Sequence, residues 1–132
     1  MAVISDLTQM LAQMRPRRHP GRYVFTTVTG APPARVRPVM TFAEDEGLTL
    51  ILRQDEADAA GLAYDLVTEW ITLMVRSALD GVGLTAAVSG RLAAAGISAN
   101  MVAATCHDHL FVPAGSAGEA VRLLEDLAGR HH

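Results

Sequence analysis

What most constrains this chain is the order of its elements after residue 68. "EWITLMVRS", residues 69 to 77, is apolar and β-branched and reads as a strand. "ALDGVG" turns it, and Leu84, Ala87, Val88, Leu92 and Ala95 then fall on one face of a helix that stops at Gly96. Two further strands follow, "ISANMVAAT" at 97–105 and "HLFV" at 109–112, too close together for anything but a hairpin. Ser116 and Glu119 form an S-x-x-E capping box for a last helix that turns Ala120, Val121, Leu124 and Leu127 inward. Strand, helix, strand, strand, helix packs as helices over one face of a mostly antiparallel sheet, an α+β arrangement. It is a β-α-β-β-α-β unit that stops one strand short. Exposed sheet edges are normally covered. An earlier strand, such as residues 22–29, or a second subunit is therefore expected at that edge.

The first half has elements of its own. Leu7, Met10, Leu11 and Met14 lie at helical spacing within residues 5–14, with Ser5 able to cap and Asp6 suited to the positive end of the helix. Pro16 and Pro20 end that helix, and "RPRRH", residues 15 to 19, reads as a solvated linker. Residues 22–29 form a strand; 39–44 and 48–53 form a hairpin about "DEG"; Asp55 opens a short helix over 56–62. The half can hold a smaller copy of the same unit. The expected division is an N-terminal unit, residues 1–66, and a C-terminal unit, residues 67–132, intimately packed and free to share strands. The letters themselves carry no clear repeat.

Composition excludes several classes. A chain of 132 residues, half of them apolar and with a mean hydropathy of +0.23, can bury a real core. All 11 basic residues are Arg, the formal charge is -3, and there is no basic stripe interleaved with aromatics, so no nucleic-acid partner is expected. Cys106 is the only cysteine, which rules out an intrachain disulfide. "MAVISDLTQM" lacks the pattern of a signal peptide. The longest uncharged run, "LAAAGISANMVAATC", is interrupted by Gly96, Ser98 and Asn100, so no membrane span is expected either, and a cytoplasmic location is.

Gly81, Gly83 and Ala86 fit G-x-G-x-x-A, the pattern of a dinucleotide loop. That fold wants an acidic residue roughly 20 positions further on and a crossover helix after the next strand. The first acid after the turn, Asp108, lies well beyond that spacing, and "CHDH" leads straight into a strand. What survives is the physics of the turn: glycines that let the backbone approach closely, and helix-start N–H groups able to hold a carboxylate or a phosphate. His107 and His109 face one side of an extended segment, but a metal needs three or four ligands, and Asp108 reads more naturally as a turn residue. Cys106 has no base on its own face, and Ser77 and Ser89 lack a G-x-S-x-G setting. Asn100, in an otherwise apolar strand, needs a partner for its amide, either a backbone neighbour or a ligand. Trp70 fits the core or a dimer contact, and His131 and His132 are assigned no role.

The run "WITLMVRSALDGVGLTAAVSGRLAAAGISANMVAATCHDHLFVP", with "FAEDEGLTLIL" and "LTQMLAQMRP", resembles the small bacterial tandem ACT-domain proteins, relatives of the ACT modules of arginine sensors. The likeness spans almost the whole chain. It implies a ferredoxin-like fold of two tandem ACT-like units and non-enzymatic, regulatory binding of a small molecule, typically an amino acid; no cofactor is expected, and the unpaired sheet edge and the short chain argue for a homodimer. By the same likeness Ser77, Leu79, Asp80, Gly81 and Val82 match the ligand loop, Gly83 and Leu84 the helix start, Asn100 and Met101 the facing strand, and Asp108 an acid facing the ligand. Where the family commonly shows two serines this chain has Ser77 and Ala78, which removes one hydroxyl contact. Two other readings stand beside it: a structural dimerisation module without ligand, and a metal-dependent enzyme using His107, Asp108 and His109.

Overall fold

The computed structural model describes residues 3–131. It has four helices, α1 (Leu7–Gln13), α2 (Gln54–Ala59), α3 (Leu84–Ala94) and α4 (Ala117–Gly129), among seven strands: β1 (Pro16–Arg18), β2 (Tyr23–Val28), β3 (Met40–Glu44), β4 (Gly47–Arg53), β5 (Val67–Leu73), β6 (Asn100–Ala103) and β7 (Asp108–Pro113). They form two compact units. One is Pro20–Thr68; the other joins the chain up to His19 with everything from Glu69 onward.

In the larger unit the strands lie in the order β1-β5-β7-β6. This is the order of a complete β-α-β-β-α-β unit, with β5, β6 and β7 as its first three strands. The missing fourth strand comes from the segment expected to be a solvated linker: Pro16–Arg18 pairs antiparallel with Leu73–Ile71 of β5. Arg18 can lie in a sheet because its guanidinium meets the buried Glu69 carboxylate at 2.6 Å. Ile71, Leu73, Leu110 and Val112 present one sheet face to Met10, Leu11, Met14, Leu84, Val88, Leu92, Ala120 and Leu124. Residues 70, 72, 109 and 111 point to the other face, since strand side chains alternate.

Three local expectations change. The cap of α1 is Asp6 rather than Ser5: its carboxylate accepts the Gln9 N–H at 2.9 Å. Ser116 makes no side-chain cap to α4, because its backbone (φ -99°, ψ -6°) is already helical. Ala95 is exposed, since α3 ends at Ala94; there Gly96 (φ 77°) and Ile97 donate to Ala93 and Leu92 in the glycine-terminated pattern the sequence suggests.

The smaller unit repeats the order, β5-β2-β4-β3, with Val67 and Thr68 as its share of β5. Its hairpin turns at Asp45 and Glu46, and α2 follows β4 directly. Between β2 and β3, where the larger unit places a helix, this one has a loop containing Pro32 and Pro33, which denies the backbone an uninterrupted helical ladder. Val24, Val36, Leu50, Leu52 and Ala57 form its core.

Candidate functional site

The glycine turn between β5 and α3 is where the sequence places a ligand. β5 ends at Leu73, and the chain is then held by the N-terminal segment: Ile4 N–H donates to Arg76 O at 2.8 Å, and Ala78 N–H to Ile4 O at 3.0 Å. Gly81 N–H closes a tight turn on Ala78 O at 2.9 Å. Gly83 has φ 106°, and a Cβ there would come within 2.8 Å of the Leu7 side chain. The φ restricts the position to glycine, and a side chain there would also have to displace the end of Leu7. Helix α3 therefore starts with no side chain on its cap, so its first N–H groups lack an intrahelical partner.

That helix start lines a cavity of about 110 Å³ together with Met10, Ser77, Ala78, Leu79, Gly81, Gly83, Leu84, Thr85, Ala103 and Asp108. Asp108 is its charged member. It is the first residue of β7, is only 8% exposed, and pairs with Ala103. The Ser77 hydroxyl donates to its carboxylate at 3.2 Å. Asp108 is thus not a turn residue; the turn before it is closed by Ala104 N–H on His107 O at 3.1 Å. The cavity brings one carboxylate, one hydroxyl and the positive end of a helix into a space large enough for a small polar head group. Exposed Leu79 and Val82 stand on the same loop.

Of the residues singled out in the sequence, Ser77, Leu79, Gly81, Gly83, Leu84 and Asp108 line this cavity. Asp80 and Val82 belong to the loop but point to solvent. Asn100 and Met101 do not line it. Asn100 is exposed, and its Nδ2 reaches Phe111 O at 3.5 Å, so a backbone neighbour serves the amide; Met101 packs against the core. Met10 and Ala103 were not singled out, because nothing local marks them: tertiary packing brings α1 and the end of β6 to the turn.

Larger cavities lie in the smaller unit. One of about 340 Å³ is lined by Pro33, Ala34, Arg35, Val36, Glu56, Ala59 and Ala60, and one of about 410 Å³ borders Thr26 and Tyr64. Neither holds a residue of the ligand loop. Chemistry rather than size favours the smaller cavity, which gathers a carboxylate, a hydroxyl and an uncapped helix start.

The His107–His109 segment divides across β7. His109 lies on the face opposite Asp108, where Trp70 Nε1–H donates to its Nδ1 at 3.1 Å. His107 Nδ1 lies 3.3 Å from Val75 O. Among the described residues no group of three His, Cys, Asp or Glu side chains comes together as a metal would require, and no helix is long and apolar enough to cross a membrane.

A four-stranded β-α-β-β-α-β unit with its cavity at the first strand-to-helix turn is an ACT arrangement, and the comparisons agree. Two ACT-domain family models match the chain, over residues 2–69 and 66–126. The protein belongs to the ACT-domain family, as two tandem ACT units. A protein of unknown function from Vibrio cholerae, described as a possible transport protein, is similar at 44% identity over 92% of this chain and 95% of its own, with a TM-score of 0.85. A protein from Agrobacterium tumefaciens shares the fold at 20% identity over 87% of this chain and 89% of its own, TM-score 0.72. So does the regulatory subunit of aspartate kinase from Thermus thermophilus in its ligand-free form, at 10% identity over 89% of this chain and 97% of its own, TM-score 0.64. No curated protein matches.

Proposed function

We propose that the protein is a non-enzymatic regulatory module that binds a free amino acid at the turn between β5 and α3. The observation that carries the reading is one cavity lined by both Asp108 and the uncapped start of α3. An amino acid offers an ammonium group and a carboxylate. The helix start suits the carboxylate, through N–H groups with no other partner and a favourable dipole. Asp108 suits the cation, with Ser77 orienting it. Asp80, Val82, Asn100 and Met101 belong to the proposed ligand environment only if the loop closes over the ligand or a second subunit completes it. The division into units 1–66 and 67–132 is part of this reading, with the segment through His19 lent to the C-terminal unit.

A thermal-shift screen against the twenty amino acids tests it. Ligand at a hundred times Kd adds about 2.7 kcal/mol to native stability. At least one amino acid at millimolar concentration raises Tm on this reading; no shift with any of them leaves the structural pairing module. A homodimer belongs to the same proposal, because β6 ends its unit's sheet with a single neighbour, β7. Sedimentation equilibrium that finds only a 14.0 kDa species at micromolar concentration rejects it.

A further inference from the structure

The sheet face of the larger unit that turns away from its helices carries a polar cluster that the ligand cavity does not use. His19 stacks on Trp70 with ring centroids 3.6 Å apart and planes 8° from parallel. Thr72 Oγ1 lies 2.6 Å from His19 Nε2 and 2.9 Å from His109 Nδ1. Trp70 Nε1–H donates to that same Nδ1. Indole N–H can only donate, so His109 Nδ1 carries a lone pair and its proton sits on Nε2. The one hydroxyl hydrogen of Thr72 then goes to the same lone pair, and His19 Nε2–H donates to Thr72. The cluster is a chain of donors running one way, complete only while His109 is neutral.

A proton arriving on His109 Nδ1 meets two donors; the Thr72 hydroxyl can turn and accept it, but the indole N–H can only donate, so that bond must break. Trp70 is also what holds the end of β1: it is the floor of the His19 stack, and its carbonyl accepts the His19 N–H at 2.9 Å. We propose that the His19–Trp70–Thr72–His109 cluster is an acid-sensitive latch that keeps β1 in its sheet while His109 is neutral and loosens it when His109 takes up a proton. The surroundings favour the neutral state. Burial lowers the pKa of both histidines from the usual 6.5; Arg17 adds to it at each, and His107 adds to it at His109. Asp108, on the other face of β7, is the one group acting to raise His109. On β6, Asn100 and Val102 share this face by register and carry no charge. Because the folded pKa is lowered, the latch contributes its full stability above pH 6.5 and loses it as pH falls from there toward the folded value. The loosening reaches the ligand turn, since β1 follows α1, whose Met10 lines that cavity and whose Leu7 packs on Gly83.

The experiment uses the full chain. Amide hydrogen exchange over residues 15–19 and 70–74, corrected for intrinsic rates, is followed from about pH 7.5 to about pH 5.5, beside an NMR titration of the His109 imidazole. The expected result is a several-fold loss of protection confined to these segments and a titration midpoint below 6.5. His109→Gln keeps an oxygen acceptor for Trp70 without a titrating group, and its exchange profile should be flat over that range. Equal pH dependence in parent and variant overturns the proposal. So does an imidazole that titrates at or above 6.5 in the parent, which decides the matter even if the variant does not fold.

Discussion

Asp108 separates ligand contact from scaffolding at the scale of a single residue. Its carboxylate is buried, receives the Ser77 hydroxyl and faces the cavity. In Asp108→Asn the amide oxygen still accepts from Ser77, so stability without ligand should move by less than about 1 kcal/mol. The charge is gone, and a charge-assisted bond is roughly twice as strong as a neutral one. Affinity for the amino acid found in the screen should fall about tenfold to a hundredfold, or 1.5–3 kcal/mol, measured by calorimetry. In Asp108→Ala the partly buried Ser77 hydroxyl loses its acceptor, and a loss of about 1–3 kcal/mol in urea unfolding is expected. An unchanged affinity in Asp108→Asn removes Asp108 from the ligand site.

Among the elements, the helix starts show how far local patterns carry. Asp6 lies before α1 in extended conformation (φ -71°, ψ 125°) and its side chain reaches the Gln9 N–H. Asp6→Ala should cost about 1 kcal/mol. Ser116 heads a sequence that looks like a stronger cap, yet its helical backbone leaves the side chain without a cap bond. Ser116→Ala should stay within about 0.5 kcal/mol of the parent. Denaturant midpoints of the two variants, side by side, check both. A Ser116→Ala loss as large as that of Asp6→Ala would mean that the capping box forms in solution.

For the whole molecule, the notable fact is that the second half of the chain does not complete its own fold. The N-terminal segment supplies the fourth strand, β1, and buries Met10, Leu11 and Met14 in the core of the larger unit. At about 1.5–3 kcal/mol for each buried side chain, those three alone approach the entire stability of an ordinary domain. A chain lacking residues 1–19 should therefore lose the dispersed amide spectrum of the larger unit. Adding the excised segment as a separate peptide should restore it. A truncated chain that keeps its native dispersion would show that β1 and α1 are ornament.

Local pattern determined most of the elements, because an amphipathic helix such as α4 carries its burial pattern in the order of its residues and a β-branched, aromatic run such as β2 carries its strand preference in their type. The same holds for Gly83 and Gly96, where a positive φ leaves a chemical signature that any reader of the letters can see. The succession of elements along one unit was also legible, up to the strand that was missing. Only tertiary structure decided what filled that place. "RPRRH" has neither the alternation nor the β-branched residues of a strand, and it becomes one because β5 offers it unpaired backbone groups and Glu69 offers Arg18 a counter-charge. Asp108 was identified by likeness, but its neighbours Met10 and Ala103 come from distant parts of the chain, and the helical backbone of Ser116 cancels a cap that the letters promise. Local sequence sets which backbone states are cheap; which of them is occupied depends on the partners that packing brings within reach.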